Sequence, residues 1–333
     1  MRVAMFSAQA HDREVFGKIF TGTELELSFF PQRLDAGTAP AAGGHRAVCA
    51  FVDDDLGAET LHALKVAGVE LIALRSAGFD HVDRRVANTL GMSVVHVPSY
   101  SPESVAEHGV AILMSVMRQV HTAYARGQRR DFRLEGLMGE TLHDKTVGVV
   151  GTGQIGKAFA RIAAGFGSKL LLHDIYPDQT FATGICARYV TLDDLFSGSD
   201  AISLHLPLSP ATHHLVGERL LSRLRPGSFL VNTGRGGLVD TAALLKALAR
   251  GQLRGAALDV YEKEAGVFFR RHEGGVREDP LLEQLLNHPA VLLTGHMAFL
   301  TREALDAIAT ATLQSCEEFM AGRSLTRRVP PLP

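Results

Sequence analysis

At 333 residues, 46% hydrophobic and 21% charged, the chain has the make-up of an ordinary globular protein with room for two sizeable cores. A net charge of −2 with scattered Lys and Arg offers no basic face for nucleic acid, and no apolar run approaches the roughly 20 residues needed to cross a bilayer. Neither nucleic acid nor a membrane is therefore an expected partner. No signal peptide precedes the first predicted strand, and Cys49, Cys186 and Cys316 form neither a CxxC pair nor an even disulfide set, so all three are read as structural thiols in a reducing cytoplasm.

From the N-terminus, short apolar runs return at intervals: Val3–Phe6, Leu25–Phe29, Val48–Val52, Leu71–Leu74 and Val94–Val97. These predict about five strands, with a helix at Glu59–Ala67 and a surface loop at Gly37–Gly44, and the β-then-α order predicts a parallel, flavodoxin-like sheet. At Pro98-Ser-Tyr100-Ser101-Pro102 a long helix starts, carried by Val105, Gly109, Ile112, Leu113, Val116 and Val120 and expected to run to Arg126. Ser101 as N-cap with Pro102 at N1, and Ser104-x-x-Glu107 as a capping box, are overlapping candidates for its first turn.

The stretch Thr146–Asp174 reads as strand, tight turn, helix, strand. Val147, Val149 and Val150 stop at Gly151-x-Gly153-x-x-Gly156; Ile155, Phe159, Ile162, Ala163 and Phe166 follow at helical spacing; Leu170–Leu172 ends at Asp174. Gly151 permits the turn, Gly153 lets the backbone approach a pyrophosphate at the helix N-terminus, and Gly156 lets helix and strand pack closely. Asp174 has the acceptors to bind both ribose hydroxyls of an adenosine and the charge to repel a 2′-phosphate, so this Rossmann unit predicts NAD rather than NADP.

Further strands are expected at Ala201–Leu206, Phe229–Val231, Ala256–Val260 and Val291–Leu293, with helices at Leu220–Leu224, Ala242–Ala249 and Leu281–Leu286. The last helix, Arg302–Met320, has no sheet of its own and is inferred to return to the N-terminal one. The expected architecture is α/β with a Rossmann NAD-binding domain, residues 101–298, inserted into a discontinuous flavodoxin-like substrate domain, residues 1–100 and 299–333.

Ligand groups gather beyond the carboxyl ends of strands in such sheets, and reactive residues stand there: Arg235, then Asp259 leading to Glu264, then His296. Reduction of a 2-keto acid by a nicotinamide needs a cation for carboxylate and carbonyl, a proton donor, and a partner that orients the donor. Arg235, His296 and Glu264 supply those groups, with Glu264 also favouring the protonated imidazole. Taken singly, each also reads as a surface arginine, a loop glutamate or a hydrogen-bonded structural histidine. His205 in Leu204-His-Leu-Pro207 stands at a strand end where it would shape the nicotinamide pocket, whereas His213 and His214 read as solvated. No metal-ligand spacing and no GxSxG elbow is present in the sequence.

Arg75-Ser-Ala-Gly-Phe-Asp80, the glycine fingerprint, Val231-Asn-Thr-Gly-Arg-Gly236, Ala257-Leu-Asp-Val-Tyr-Glu-Lys-Glu264 and Thr294-Gly-His-Met-Ala-Phe299 together resemble the D-isomer-specific 2-hydroxyacid dehydrogenases over essentially the whole chain. The likeness is greatest to the fermentative D-lactate dehydrogenases, through Pro98-Ser-Tyr-Ser-Pro-Glu-Ser-Val-Ala-Glu-His108 and Gly266-Val-Phe-Phe-Arg-Arg271. The resemblance implies substrate binding by Arg235, histidine orientation by Glu264, acid/base work by His296 and a supporting role for Asp259. It also implies that the Ala77 and Gly78 backbone grips the substrate carboxylate and that Tyr100 and Phe299, with Phe51 a weaker candidate, wall a small-substrate pocket; each aromatic also reads as ordinary core packing. For the cofactor it implies Gly151, Gly153, Gln154, Ile155 and Gly156, then Asp174, His205 and Pro207, then Thr233, Gly234, Arg235 and Asp259. Glu264 departs from the Gln of the similar formate dehydrogenases, and the short tail leaves no room for the regulatory domain of many phosphoglycerate dehydrogenases. The expected activity is NADH-dependent reduction of pyruvate to D-lactate by a homodimer or homotetramer. The alternatives are another small 2-keto acid, such as hydroxypyruvate, 2-ketobutyrate or phenylpyruvate, or a non-catalytic NAD-sensing regulator.

Overall fold

A computed structural model of the chain describes residues 1–270 and 279–330. Arg271, which closes one of the motifs above, and the tail 331–333 of the expected substrate domain lie outside the described residues. The chain divides into two compact units, Met1–Ser101 with Leu300–Pro333, and Pro102–Phe299.

In the first unit, β1 (Arg2–Met5), β2 (Glu26–Phe29), β3 (Ala47–Ala50), β4 (Leu71–Leu74) and β5 (Ser93–Val95) form one parallel sheet in the order β2-β1-β3-β4-β5. β3 and β4 are buried along their whole length, which is why they read as unbroken apolar runs rather than alternating ones. Three helices join the strands: α1 (Ala10–Phe20), α2 (Ala58–Val66) and α3 (Arg84–Thr89). The segment expected as a loop at Gly37–Gly44 contains a short 3₁₀ turn, Ala39–Ala42.

The second unit opens with α4 (Pro102–Met117). It is not the single long helix that the spacing predicts: Gln119 takes φ +55°, and α5 (Val120–Gly127) starts afresh beyond it. Neither Gly nor Pro marks this break, so the apolar spacing runs through it unchanged. Then follow β6 (Thr146–Val150), α6 (Gln154–Gly165), β7 (Lys169–His173), α7 (Gln179–Gly184), β8 (Arg188–Tyr189), α8 (Leu192–Gly198), β9 (Ala201–Leu204) and α9 (Glu218–Leu221). β10 (Ser228–Asn232), α10 (Thr241–Ala249), β11 (Leu253–Leu258), α11 (Pro280–Asn287) and β12 (Val291–Leu293) complete it. All strands are parallel, in the order β12-β11-β10-β9-β6-β7-β8. The order reverses between β6 and β9, and a doubly wound sheet opens a crevice at such a reversal. Two apolar cores lie in this unit, one built around Phe159 and the other around Phe196.

α12 (Arg302–Met320), capped by the Thr301 hydroxyl on the Ala304 N–H, packs against α1 and β4 of the first unit. Cys49 and Cys316 are buried there, as structural thiols would be, and burial pushes both thiols well up, Cys49 to about 12. Cys186 differs: it is exposed, at φ +54°. Among the described residues no helix is long and apolar enough to cross a membrane, and no group of three His, Cys, Asp or Glu is placed to hold a metal.

Candidate active site

Parallel strands deliver their successors to one edge, and in the second unit that edge collects the polar residues singled out above. Gly151 leaves β6, Asp174 leaves β7, His205 leaves β9, Thr233 leaves β10, Asp259 leaves β11, and Thr294 leaves β12 with His296 two residues on.

Arg235 sits in a loop fixed by its own neighbour. The Asn232 side chain donates to the Arg235 carbonyl at 2.9 Å and accepts the Gly234 N–H at 3.0 Å, an Asx-type closure that leaves the guanidinium half-buried, with one nitrogen on the Gly234 carbonyl at 3.0 Å. Gly236 has no side chain for a visible reason: a methyl group there would collide with the Tyr261 and Glu262 backbone. The arginine loop and the glutamate loop thus pack main chain to main chain.

Glu264 is used on both oxygens. Oε2 accepts the Tyr261 N–H at 2.9 Å, and Oε1 stands 2.7 Å from His296 Nδ1. Tyr261 is itself tied by its hydroxyl to Asp279 at 2.7 Å, the N-cap of α11. With Nδ1 engaged by Glu264, Nε2 is the second proton-carrying position of the half-buried imidazole.

His296 has φ +54°, a backbone state uncommon outside glycine, so its loop must be held. Asp259 holds it. The His296 N–H donates to the Asp259 carbonyl at 2.7 Å, and the fully buried carboxylate accepts the Met297 N–H at 2.9 Å, the Ala298 N–H at 2.8 Å and the Thr294 hydroxyl at 2.5 Å. His108 of α4 adds its Nε2 at 3.2 Å from Asp259 and 3.3 Å from Thr294. Burial alone would raise the Asp259 carboxyl; the hydrogen bonds from His108, Thr294 and Met297 outweigh it and leave the group below the usual carboxylate range.

The glycine turn has the shape a dinucleotide needs. Gly151 takes φ +91°, where a side chain would also meet the His205 carbonyl at 2.5 Å, and a methyl at Gly156 would strike the Gly151 carbonyl. Gly153, by contrast, faces open space and begins α6 with no side-chain cap and no acidic residue in the first turn. Gln154 and Ile155 open that helix, exposed and half-buried. Thr233 buries a hydroxyl that has no hydrogen-bond partner among the described residues, and Gly234 and Pro207 lie beside it in sequence and on the neighbouring strand's exit. His205 supports this turn: Nε2 pairs with the Ser203 hydroxyl at 2.9 Å, the ring lies 5.1 Å from Phe159, and burial pushes its pKa down to about 3, which keeps the ring neutral. His214, expected to be solvated, instead pairs with Glu262 at 2.8 Å and stacks on His213 at 4.0 Å.

A family model described as D-isomer specific 2-hydroxyacid dehydrogenase, NAD binding domain, matches residues 110–298. The chain belongs to the D-isomer-specific 2-hydroxyacid dehydrogenases. A 2-hydroxyacid dehydrogenase homolog of Zymomonas mobilis is 44% identical over 326 residues, 98% of each chain. Among solved structures, the apo form of D-lactate dehydrogenase from Escherichia coli is 41% identical with a TM-score of 0.90, covering 99% of this chain and 100% of that one. The pyruvate reductase of Chlamydomonas reinhardtii is 40% identical with a TM-score of 0.91 over 98% of each. Members of this dehydrogenase family are NAD-dependent oxidoreductases, and the uncapped helix, the glycine turn and the orphaned Thr233 hydroxyl fit that cofactor.

Of the remaining expected substrate residues, all but Phe299 belong to the first unit. Ala77 and Gly78 follow β4, half-buried, and the Ser76 hydroxyl bonds the Gly78 carbonyl at 2.8 Å; Tyr100 closes the unit, half-buried. Phe51 is buried under the Arg75 guanidinium, 4.6 Å from ring centre to carbon, so its visible work is packing. Phe299 is half-buried at the end of the second unit. Sequence reasoning gave no role to Asn232, His108, Thr294, Tyr261 or Asp279. Asn232, in Asn-Thr-Gly, carried a local turn signal, and Asp279 before Pro280 a helix-start signal.

Proposed function

We propose that this dehydrogenase reduces pyruvate to D-lactate with NADH, and that the Glu264–His296 pair 2.7 Å apart, beside the Arg235 loop, is the observation that carries the reading. Bound NADH supplies the hydride to the keto carbon. Arg235 binds the substrate carboxylate and polarises the ketone, His296 delivers the proton from Nε2 to the carbonyl oxygen, and Glu264 fixes the ring through Nδ1. The Ala77–Gly78 backbone binds the substrate carboxylate, and Tyr100 and Phe299 limit the size of the substrate. Asp174 reads the adenosine ribose, and Asp259 supports the catalytic loop. In this reading residues 1–100 with 299–333 are the substrate domain and 101–298 the NAD-binding domain.

A panel of small keto acids compared by kcat/KM, followed as loss of NADH absorbance, tests the substrate. Pyruvate is expected to lead; a tenfold preference for phenylpyruvate or hydroxypyruvate would overturn it. His296→Ala and Arg235→Ala should each lower pyruvate turnover by roughly three orders of magnitude with the fold intact, as loss of a positioned proton donor or cation does. Near-normal reduction in either variant removes that residue from the mechanism, and inertness of the intact protein toward every acid in the panel leaves an NAD-sensing role. The relatives named D-lactate dehydrogenase and pyruvate reductase support the choice of substrate. The free cysteines suit a cytoplasmic location, and the exposed Val120, Tyr124, Phe132, Leu134 and Met138 favour a homodimer or homotetramer, which light scattering decides.

A further inference from the structure

The carboxylate of Asp174 is already occupied before any ribose arrives. Oδ2 accepts the Thr152 N–H at 2.6 Å and the Thr152 hydroxyl at 3.0 Å, while Oδ1 accepts the Tyr176 N–H at 2.9 Å. Thr152 Oγ1 in turn lies 2.7 Å from the hydroxyl of Tyr189, on the two-residue strand β8.

The direction of each proton follows from chemistry. Burial acts to raise the Asp174 carboxyl, but the hydrogen bonds from Tyr176 and Thr152 prevail and hold it below the usual range, so it is ionised at neutral pH. An ionised carboxylate only accepts, and Thr152 has one hydroxyl proton, which therefore goes to Asp174. The Tyr189 hydroxyl must then be the donor to Thr152, and the chain runs from Tyr189 through Thr152 to Asp174, each bond polarising the next. Thr152 is only 5% exposed, so bulk water has little access to take the tyrosine's place. Of the carboxylate's roughly four lone-pair positions, three are taken and about one is left, on Oδ1. A ribose thus meets a carboxylate locked in one orientation with one acceptor to offer, not the two that the sequence suggests.

We propose that Tyr189 and Thr152 are positioning residues for cofactor choice: they pin Oδ2 inward, so that Asp174 presents a single oxygen to the adenosine ribose and a fixed charge to any 2′-phosphate. This rests on the reading of Asp174 as the ribose-reading residue. Preference for NAD over NADP is then set jointly by the acid at the end of β7 and a hydroxyl on β8.

Binding of NADH and of NADPH to the full chain, measured by titration calorimetry without substrate, tests it independently of turnover. Tyr189→Phe and Thr152→Val should each weaken NADH binding about three- to tenfold, the weight of one hydrogen bond, while leaving NADPH binding level or improved, so that the Kd ratio narrows. Thr152→Ser, which keeps the hydroxyl, should restore the ratio. Tyr189→Phe removes one atom from a half-buried side chain and carries the test if Thr152→Val does not fold. Equal weakening of both cofactors, or no change, overturns the relay. Asp174→Ala separates the two claims: if it shifts the ratio while Tyr189→Phe does not, the relay alone falls. If Asp174→Ala leaves the ratio unchanged, Asp174 is not the ribose reader and both claims fall.

Discussion

The two units carry open parallel sheets whose first strand feeds a helix at the carboxyl edge, yet they treat that helix N-terminus in opposite ways. In the second unit β6 leaves through Gly151 into α6, whose first turn has neither side-chain cap nor acidic residue. In the first unit β1 leaves through Ser7 and Gln9 into α1, and the chain satisfies the entrance itself: Asp12 accepts the Gln9 N–H at 2.9 Å, and Arg75 donates to the Phe6 and Ser7 carbonyls at 2.9 and 3.0 Å. Arg75 also faces Asp12 at 3.6 Å and covers Phe51, while Asp54 accepts from Ser7, Leu34 and Phe51. Burial still raises the Asp54 carboxyl above its usual range despite those bonds. The lesson is that the fold provides the place, and what fills the first turn decides whether a nucleotide has one.

Three changes would sharpen or break that contrast. The largest effect is expected from Gly156→Ala, whose methyl strikes the Gly151 carbonyl. Overpacking of this kind costs about 3 kcal/mol, and transferred to the cofactor turn it should weaken NADH binding roughly a hundredfold in calorimetry. Unaltered binding would mean that the close helix–strand approach is not what shapes the phosphate turn. Next, Arg75→Met should destabilise the first unit by about 3 kcal/mol, since it strands a buried acid. Hydrogen exchange should quicken in β1 and β3 and not in β6 or α6; uniform quickening would contradict the separation of the two networks. The smallest concerns His205. Its folded pKa of about 3 lies below the usual 6.5, so the stability it confers is complete above pH 6.5 and declines as pH falls toward 3, because the unfolded chain binds a proton that the native one refuses. His205→Gln should flatten the acid limb of the unfolding curve by up to about 1.4 kcal/mol per pH unit, and an unchanged slope would show the ring to be charged in the native state.

Much of this was legible because buried parallel strands announce themselves as apolar runs and glycine positions tolerate few substitutes. The strands β1 to β5, the fingerprint and the edge holding Arg235, Glu264 and His296 were readable for that reason. α1, α3, α7 and α8 went unforeseen, being short or weakly patterned, and β8 is two residues long, too brief for any period to register. The break at Gln119 was hidden because a non-glycine residue took the left-handed conformation. In the site, the residues proposed to touch the reaction announced their chemistry by type and position, while His108, Thr294 and Tyr261 sat inside the quoted motifs with nothing to show what they hold. His108 meets Asp259 across roughly 150 residues of chain, and Tyr189 meets Thr152 through hydroxyl groups that have no spacing rule.

The return of α12 to α1 and β4 has a consequence for how the protein is made. Residues through Ser101 emerge from the ribosome with α1 and β4 formed in sequence but lacking the helix that packs on them, and roughly 200 residues separate Ser101 from Arg302. At ordinary synthesis rates that is a wait of about 10–40 s. The second unit is contiguous and is complete before the first has all its parts. The domain translated first is therefore the one that finishes last, and its uncovered α1 face is where nascent chains of this protein are most open to chaperones and to one another.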